Sequence, residues 1–474
     1  MAVQQTNPRW EGFPSDVLLD LRPQQGRGLR ERLEHGLRVA IQSRRLVAGA
    51  ALPPTRVLAA ELGISRSVVV AAYANLTADG YLEARQGAGT RVRHDGAPAT
   101  PPAAAPRPPW PRPAPALRMI GGLPDPALFP RTQWLRHYRA ALAELPDPLL
   151  TYPDTRGAAR LRDALTAYLG RVRGVTTEPA RLVVCAGVTQ GLTLACRALR
   201  RGGARRVAIE DPCFAPHREA IAMTGLEPVP VPIGEHGLAA AALEAHDVDA
   251  VLVAPAHSYP TGSTLDTRRR HGLLAWARRH DALIIEDDYD AEFRYDRVPI
   301  GALQGLAPDH VVHLGSASKT VSPALRLGWV AAPPGLARAL EREKRLDDMG
   351  SGLLEQLAFA RFVDRGDFAR YLRRVRPVYR ARRDATIAAL GELLPEVRHH
   401  GAAAGLHVHV ILPAGVDEGA LARTAAARGL LVEEAARHWA DPAQAPPSLV
   451  LGYGQLSEPA IRRGIGVLAG AING

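Results

Sequence analysis

Lysine is almost absent from this 474-residue sequence, yet one of its two lysines stands where an amine could do chemistry. Lys344 lies in the charged stretch "EREKRLDD", and a charged helix face accounts for it. Lys319 lies in "GSASKTVSPALRLGWV", in a Gly/Ser loop between two apolar runs. The preceding "VVHLG" is typical of a buried strand, and ligands gather at the carboxyl-terminal edge of open parallel sheets. Because a buried amine is costly without a partner or a reaction, Lys319 is a candidate functional residue.

The residues around Lys319 could bind a phosphate group. Ser316 and Ser318 offer hydroxyl donors, and Arg326 offers a guanidinium that binds oxyanions through two parallel hydrogen bonds. An amine beside a phosphate site suggests a Schiff base to pyridoxal 5'-phosphate (PLP). For this motif taken alone, the alternative is a lysine solvated in an ordinary loop.

A second motif supplies the acid that PLP requires. The stretch "ALIIEDDYDAEFRY" predicts a buried strand that ends in carboxylates. Asp287 could keep the pyridine nitrogen protonated, so that the ring acts as an electron sink, and Tyr289 could hydrogen-bond the 3-hydroxyl group. Two alternatives stay open: helix caps and surface acids, or a metal site. The metal site would draw its ligands from Asp287, Asp288, Asp290 and Glu292.

Weaker motifs accompany these two. In "CAGVTQGL" a predicted strand runs into a glycine turn, and Thr189 opens a helix whose backbone donors suit a phosphate. In "IEDPCFAPHR", Phe214 follows another strand end and could stack on a flat cofactor ring, with core packing as the equal alternative. His407 and His409 alternate on a further predicted strand, where ordinary packing is favoured over metal ligation. We expect no metal.

The elements that must position these motifs predict an α/β fold. Helical stretches alternate with the apolar runs "RLVVCAG", "RRVAIED", "AVLVAP", "ALIIEDD" and "HVVHLGS", which indicates a largely parallel sheet covered by helices on both faces. Further β-branched strands indicate a smaller α+β subdomain over about residues 350–474. We assign residues 118–474 to this large domain.

The composition excludes several classes of protein. The hydrophobic fraction of 46% and charged fraction of 23% are typical of a soluble globular protein. Three cysteines cannot form a disulfide framework, and a reducing cytoplasm is the simplest location. The start carries no basic segment followed by an apolar one, and no apolar run reaches about 18 residues. We therefore predict a cytoplasmic protein without a membrane partner.

The amino-terminal part predicts a DNA-binding module over residues 28–93, after an extension at 1–27. We predict a first helix that is capped by Thr55 and ends at Leu62, and a second helix that is capped by Ser65 and ends at about Ala78. Gly63 makes the turn between them, and a hairpin wing follows the second helix. Up to residue 93 there are 13 arginines, no lysine and 8 acids, a net charge of +5. Nine prolines between 98 and 115 make 94–117 a semi-rigid linker.

The predicted second helix is the recognition helix, and operator DNA is the expected partner. Its first side chains enter the major groove in helix-turn-helix proteins. Other side chains of the module would contact phosphates. The predicted groove residues are Ser65, Arg66 and Ser67, and the predicted phosphate contacts are Arg56, Arg85 and Thr90.

Taken in order, these motifs resemble a known family. "TYPDTRG", "CAGVTQGL", "EDPCF", "PAHSYPTG", "IIEDDYDAEFRYD", "GSASKTVSPALRLGWV" and "AGLHVHV" are similar to those of fold-type-I aminotransferases. Together with the winged helix and the proline-rich linker, they resemble the MocR/PdxR/GabR group of GntR-type bacterial regulators over about residues 28–470. One such motif would be weak evidence, but several in family order are specific.

The resemblance implies a role for each matching residue. Lys319 would form the Schiff base, Asp287 would meet the pyridine nitrogen, and Tyr289 would meet the 3-hydroxyl group. Phe214 would stack on the ring, and His257 would lie near the 3-hydroxyl side. Tyr152 would reach the phosphate held by the partner subunit of a homodimer. The residues around the chain's own phosphate would be Ser316, Ser318, Arg326, Val188 and Thr189.

The sequence departs from the family pattern at two positions. Ser258 stands where the group usually carries glutamine, and Val450 stands where aminotransferases carry the arginine that clamps a substrate α-carboxylate. Loss of that contact would cost on the order of 1.5–3 kcal/mol. We therefore expect a transcriptional regulator that senses PLP or an amine. The alternative is a working aminotransferase with an accessory DNA module. The family also implies a homodimer in which each winged helix lies against the partner's large domain.

Overall fold

The chain divides into two compact units, Met1–Arg112 and Pro113–Gly474. The computed structural model describes residues 28–85, 89–93, 117–295 and 300–473. The predicted extension at 1–27 lies outside the described residues. The predicted linker at 94–117 also lies outside them, except for Leu117, which is the first residue of a strand. Among the helices of the described residues, none has both the length and the apolarity needed to span a membrane.

The first unit is a winged helix. Leu33, Leu37, Val69 and Leu76 are fully buried and hold its helices together. Gly63 has a φ of 64°, in the left-handed region, and so allows the tight turn between the second and third helices. The wing is antiparallel, and its turn residues 86–88 lie outside the described residues. The elements are α1 (Leu29–Gln42), α2 (Thr55–Leu62), α3 (Arg66–Ala78), β1 (Leu82–Arg85) and β2 (Gly89–Val92).

Both predicted helix caps differ from the structure in detail. Thr55 is the first helical residue of α2, and Pro54 occupies the cap position, where its fixed φ suits the entry to a helix. Ser65 does occupy the cap position of α3, but its side chain makes no capping bond. Its hydroxyl instead lies 2.9 Å from that of Ser67, so α3 begins with two mutually bonded serines.

The second unit is built on a seven-stranded sheet with helices packed on it. Six of its seven strands are almost completely buried, as the sequence pattern predicts for a sheet covered on both faces, while the edge strand Glu227–Pro232 alternates buried and exposed residues. The strand order is β4-β10-β9-β8-β7-β5-β6, with β10 antiparallel to both neighbours and the other pairs parallel. The strands, with the short β3 that precedes them, are β3 (Leu117–Met119), β4 (Leu182–Cys185), β5 (Arg206–Asp211), β6 (Glu227–Pro232), β7 (Ala250–Val253), β8 (Leu283–Asp288), β9 (Val311–Ser316) and β10 (Gly328–Ala331).

A five-stranded sheet forms the smaller part of this unit, in the order β11-β12-β14-β13-β3. Strand β3 pairs in parallel with β13, so the chain enters the unit through the small sheet before it builds the large one. The predicted subdomain at 350–474 omits this strand. The remaining strands are β11 (Arg398–His400), β12 (His407–Ile411), β13 (Leu430–Glu434) and β14 (Ser448–Gly452).

Helices cover both sheets and account for most of the remaining chain. Aromatic side chains of α11 and α12 pack into a core shared with the small sheet. The helices are α4 (Arg131–Glu144), α5 (Ala159–Arg173), α6 (Val188–Arg201), α7 (Ala215–Met223), α8 (Ala240–Leu243), α9 (Thr267–His280), α10 (Pro334–Asp348), α11 (Leu353–Asp364), α12 (Asp367–Leu393), α13 (Glu418–Ala427) and α14 (Glu458–Ile472).

Lys344 is not on a charged helix surface, so that interpretation is wrong. Its side chain is fully buried on α10. The Nζ atom donates to Asp348 on the next turn and to Ser351, at 2.8 Å, in the following loop. A buried ammonium requires such partners, so Lys344 joins the end of α10 to the segment that leads into α11.

Candidate cofactor site and DNA-binding surface

The carboxyl ends of the central strands surround a cavity of about 350 Å³ in the large unit. Parallel strands present their carboxyl ends at one sheet edge, and this explains why motifs far apart in sequence meet there. Nine of the eleven predicted cofactor residues line the cavity; His257 and Tyr152 do not. The nine are Val188, Thr189, Phe214, Asp287, Tyr289, Ser316, Ser318, Lys319 and Arg326.

Lys319 follows β9 and points into the cavity. Its Nζ lies close to Gly122, where an added Cβ would be 3.3 Å from it. Gly122 has a φ of 66°, so the backbone there both adopts a left-handed conformation and leaves room for the amine. Burial lowers the pKa of Lys319, against the opposing effect of Asp290 and Asp287. A lowered pKa increases the neutral fraction of the amine, the form that attacks a carbonyl.

Asp287 presents an oxygen without a partner. Its Oδ1 is buried and accepts no hydrogen bond within the described part of the chain, while Oδ2 lies 3.7 Å from Nδ1 of His217. Burial, and then the charges of Asp290 and Asp288, raise the pKa of Asp287 well above its usual range. Buried carboxylate oxygens are rarely left unpaired. The cavity therefore suits a ligand that presents a cationic N–H group to Asp287, as a protonated pyridine does.

The neighbouring acids face other partners and do not form the metal site considered above. Asp288 accepts from Arg173, at 2.8 and 2.9 Å, and from His313 at 2.9 Å. Glu292 accepts from the hydroxyl of Tyr168 at 3.2 Å. Successive side chains of a strand point to opposite faces, so Asp287 and Asp288 serve different parts of the fold.

Asp290 belongs to a different group. It accepts from Nδ1 of His257 at 2.9 Å, and these two residues and His407 offer ligand atoms within 4.8 Å of one another. His407 already bonds the carbonyl of Pro260, at 3.2 Å, through Nε2. The expectation of no metal stays a prediction.

Another part of the cavity wall brings phosphate-binding groups together. Gly187, with a φ of 132°, precedes α6, and an added Cβ there would lie 3.6 Å from Nη1 of Arg326 and 3.9 Å from Oγ of Ser318. Ser316 donates to Ser318 at 2.8 Å and so orients its hydroxyl. Among the described residues, no carboxylate pairs with Arg326. An unpaired guanidinium, a hydroxyl and the amino terminus of α6 together suit a phosphate dianion.

His257 supports Tyr289 from outside the cavity. Its Nδ1 lies 3.3 Å from the hydroxyl of Tyr289 but is committed to Asp290, which leaves that hydroxyl available to the cavity. Ser258, which stands where the family resemblance predicts a glutamine, donates to Oε2 of Glu210 at 3.0 Å. Burial raises the pKa of Glu210 to about 7. The serine therefore contacts a cavity acid rather than leaving that side empty.

Phe214 forms part of the cavity wall, whereas Tyr152 stands apart. The Phe214 ring meets those of His217 and Tyr259 edge to face, with centroids 5.1 and 5.5 Å apart. Tyr152 is 79% exposed within its chain, so the partner contact expected of it stays a prediction.

The cavity wall also contains polar side chains that the sequence motifs did not indicate, among them His217, Tyr259 and Glu433. His217 lies three residues after Phe214 and could have been found as the same helix face; burial, and then the charge of Lys319, lower its pKa to about 4 and keep it neutral. Glu433 lies on β13 and reaches the cavity only because the small sheet packs there. No local sequence pattern predicts that Glu433 lies in the cavity.

Four of the six predicted DNA contacts lie at the starts of two helices of the winged helix. Arg56, Ser65, Arg66 and Ser67 are exposed at the starts of α2 and α3. The two helix ends lie together, since Nε of Arg66 is 3.5 Å from the hydroxyl of Thr55. The other two predicted contacts are on the wing, with Arg85 ending β1 and the half-buried Thr90 on β2.

Comparisons with known proteins agree with both halves of this description. Residues 29–92 match the family of bacterial regulatory proteins, gntR family, and residues 129–438 match aminotransferase class I and II. The chain is 32% identical over 461 residues to the HTH-type pyridoxine biosynthesis transcriptional regulator PdxR of Corynebacterium glutamicum, covering 97% of this chain and 99% of that protein. It is 30% identical over 467 residues to the probable rhizopine catabolism regulatory protein MocR of Rhizobium meliloti, covering 94% and 93%.

Solved structures add the fold of the large unit. The crystal structure of LysN, the α-aminoadipate aminotransferase of Thermus thermophilus, in complex with N-(5'-phosphopyridoxyl)-L-leucine, matches with a TM-score of 0.69 at 27% identity. The match covers 76% of this chain and 92% of that one. The predicted fold class and family resemblance are thus confirmed. The chain belongs to the MocR-type transcriptional regulators, in which a GntR-family DNA-binding domain is joined to an aminotransferase-like domain.

Proposed function

We propose that this regulator binds operator DNA through its winged helix and holds PLP in the large unit, where PLP or an amine that reacts with it is the regulatory signal. The observation that carries the proposal is that three complementary groups line one cavity. They are the buried, unpaired Oδ1 oxygen of Asp287, the amine of Lys319 and the guanidinium of Arg326.

The cavity residues fit the chemical groups of PLP one by one. Asp287 would accept from the pyridine N–H, supported from behind by His217. Tyr289 would bond the 3-hydroxyl group, and Phe214 would cover the ring. Ser318 and Arg326 would hold the phosphate at the start of α6, with Ser316, Val188 and Thr189 beside them. When bound, PLP supplies an aldehyde that condenses with primary amines, and Lys319 is the amine of the chain placed to meet it.

A regulatory role is favoured over amino-acid transamination. PdxR and MocR, which match this chain along almost their whole length, are regulators by name. Val450 is buried and apolar at the position expected to clamp a substrate carboxylate. A working aminotransferase remains the second candidate, because LysN shares the fold of the large unit and the cavity retains Lys319 and Asp287.

The proposal includes a cytoplasmic homodimer. Leu149, Leu150 and Tyr152 are 54%, 58% and 79% exposed within the chain, and a partner subunit that receives Tyr152 would cover them. In the family arrangement each winged helix would lie against the partner's large domain. A ligand could then regulate DNA binding only if it favours one arrangement over another.

The test begins with the cofactor. Purified protein incubated with PLP and freed of excess is expected to keep an absorbance near the visible edge, and Lys319→Ala is expected to lose it. DNA selected by the protein from a random-sequence library is then titrated with and without PLP at one fixed salt concentration, since phosphate contacts make affinity salt-dependent. A protein that stays colourless with PLP contradicts the proposal. Multiple turnover of an amino acid would favour the second candidate.

A further inference from the structure

One wall of the cavity carries a carboxylate where an amino-acid substrate would bring its own. Glu433 lines the cavity and lies directly opposite Val450 across the β13–β14 pair. Gly121 packs closely against this wall, since a Cβ added to it would be 2.7 Å from the hydroxyl of Tyr259 and 2.8 Å from Cγ1 of Val450. The expected guanidinium is thus absent at position 450, and an acid stands beside the same spot.

The hydrogen-bond donors of this wall are directed at Glu433. The hydroxyl of Tyr259 donates to Oε2 at 2.7 Å, and Nε2 of His438 donates to Oε1 at 3.1 Å. Burial alone would raise the pKa of Glu433, but these bonds, aided by the backbone of Gly121, lower it. Glu433 is therefore ionised at neutral pH, and it already uses donors that could otherwise bind a ligand's carboxylate.

The negative charge of Glu433 is not cancelled by its bonded histidine. The backbone N–H of Ala215 donates to Nδ1 of His438 at 3.2 Å, so that nitrogen carries a lone pair. The proton then resides on Nε2, which faces Glu433, and the imidazole is neutral. Tyr259 is also neutral, because burial and then the charge of Glu433 raise its pKa well above the usual range. Among Glu433, His438 and Tyr259, the negative charge is therefore carried by Glu433 alone.

We propose that Glu433 occupies the place an α-carboxylate would need and makes the pocket selective for primary amines that carry no carboxylate on the amine-bearing carbon. This inference rests on the proposed function, since the amine is recognised beside bound PLP. An α-amino acid would bring a second carboxylate against Glu433 in a partly buried site, where like charges repel strongly. An amine without that group brings no second negative charge, meets the apolar ring of Phe214 and is attracted to the acid in its ammonium form.

The competing source of carboxylate recognition is Arg437. Its guanidinium is exposed on the turn after β13, and its charge acts on Tyr259. A ligand that reached Arg437 with its carboxylate could escape the repulsion. The measurement must therefore compare two ligands that differ only in the carboxylate.

n-Butylamine and L-norvaline are such a pair, since norvaline is butylamine with a carboxylate on the amine carbon. PLP-loaded protein, freed of unbound PLP, is titrated with each at fixed pH and salt, and binding is followed by calorimetry and by absorbance. We expect butylamine to bind at least about tenfold more tightly, and Glu433→Gln to reduce this ratio about tenfold. Comparing the ratio between variants cancels the different basicity of the two free amines.

Glu434→Gln is the matched control, because Glu434 is the next residue on β13, is exposed and lies outside the cavity lining. It should leave the ratio unchanged. Three results would overturn the inference. Norvaline could bind the parent as tightly as butylamine, which would assign carboxylate recognition to Arg437, or Glu433→Gln could leave the ratio within about twofold of the parent. The third result is that PLP-loaded protein binds neither ligand. In the last case the proposed function survives with PLP itself as the signal. Failure to retain any PLP would reject both.

Discussion

Asp287 and Asp288 are adjacent acids of one strand, and their conservative replacements should have opposite effects. Asp287 faces the cavity with one oxygen unpaired, whereas Asp288 is held by Arg173 and His313 inside the fold. Asp287→Asn removes the charge that would meet the pyridinium of PLP but breaks no ion pair of the chain. Asp288→Asn leaves the buried Arg173 without its anion and changes nothing in the cavity lining.

The magnitudes follow from these contacts. A hydrogen bond to a charged partner contributes about 1.5–3 kcal/mol, so Asp287→Asn should weaken PLP binding by about 10–150-fold. Burial raises the pKa of Asp287, so the carboxyl disfavours the folded apoprotein increasingly as pH rises, and asparagine does not. The variant apoprotein should therefore be as stable as the parent at pH 8, or more so. Breaking a buried pair costs about 3–5 kcal/mol, so Asp288→Asn should lower Tm by about 5–10 °C.

Two assays on the same apoprotein preparations separate the effects. Equilibrium dialysis gives the Kd for PLP, and thermal denaturation without PLP gives Tm. The reasoning is refuted if Asp287→Asn binds PLP within about twofold of the parent, or if it destabilises the apoprotein as much as Asp288→Asn does. Either result would mean that the free Oδ1 oxygen does not face the cofactor.

Three further predictions concern single groups. Burial raises the pKa of Glu210 from 4.5 to about 7, so the folded protein holds a proton that the unfolded chain has released. Apoprotein stability should consequently fall by about 3 kcal/mol as pH rises from 4.5 to 7, and Glu210→Gln should flatten the profile of Tm against pH. Arg326→Ala should weaken binding of PLP about 10–100-fold in dialysis but leave pyridoxal, which lacks the phosphate, nearly unaffected; equal losses for both ligands would place the guanidinium elsewhere. Arg66→Ala should weaken binding to library-selected DNA about tenfold without changing the Kd for PLP; unchanged DNA affinity would remove it from the contact surface.

The sheet and most of the cofactor cavity were predictable because their signals are local. Each buried parallel strand is a short apolar run, and each ends in the residues that carry its motif. Since such strands end at one edge, finding Asp287 after one run and Lys319 after another is enough to predict that they share a site. The turns at Gly187 and Gly63 could likewise be predicted from the sequence, because a turn before a helix requires a residue free to adopt a positive φ.

Pairings between distant segments were not predictable in this way. Strand β3 is three residues long and pairs with β13, more than 300 positions later, so nothing near it indicates its sheet. Glu433 reaches the cavity through that same packing. Lys344 looked like a surface charge because acids surround it in sequence, yet its partner Ser351 lies in a loop whose position only the fold determines. In each case the decisive contact is made by a residue outside the motif.

The distribution of satisfied and unsatisfied groups indicates which ligand dominates regulation. On the amine side, Tyr259 and His438 already donate hydrogen bonds to Glu433, so a bound amine would satisfy few groups that lack a partner. On the cofactor side, Asp287 has a buried oxygen without a donor, and Arg326 has no paired acid among the described residues. The unpaired buried oxygen of Asp287 raises the free energy of the empty form, and a ligand that pairs with it recovers that cost on binding, while the exposed Arg326 adds an attractive charge for a phosphate. The larger bias on the conformational equilibrium should therefore come from occupancy by PLP, while the amine adjusts a site that PLP has already ordered.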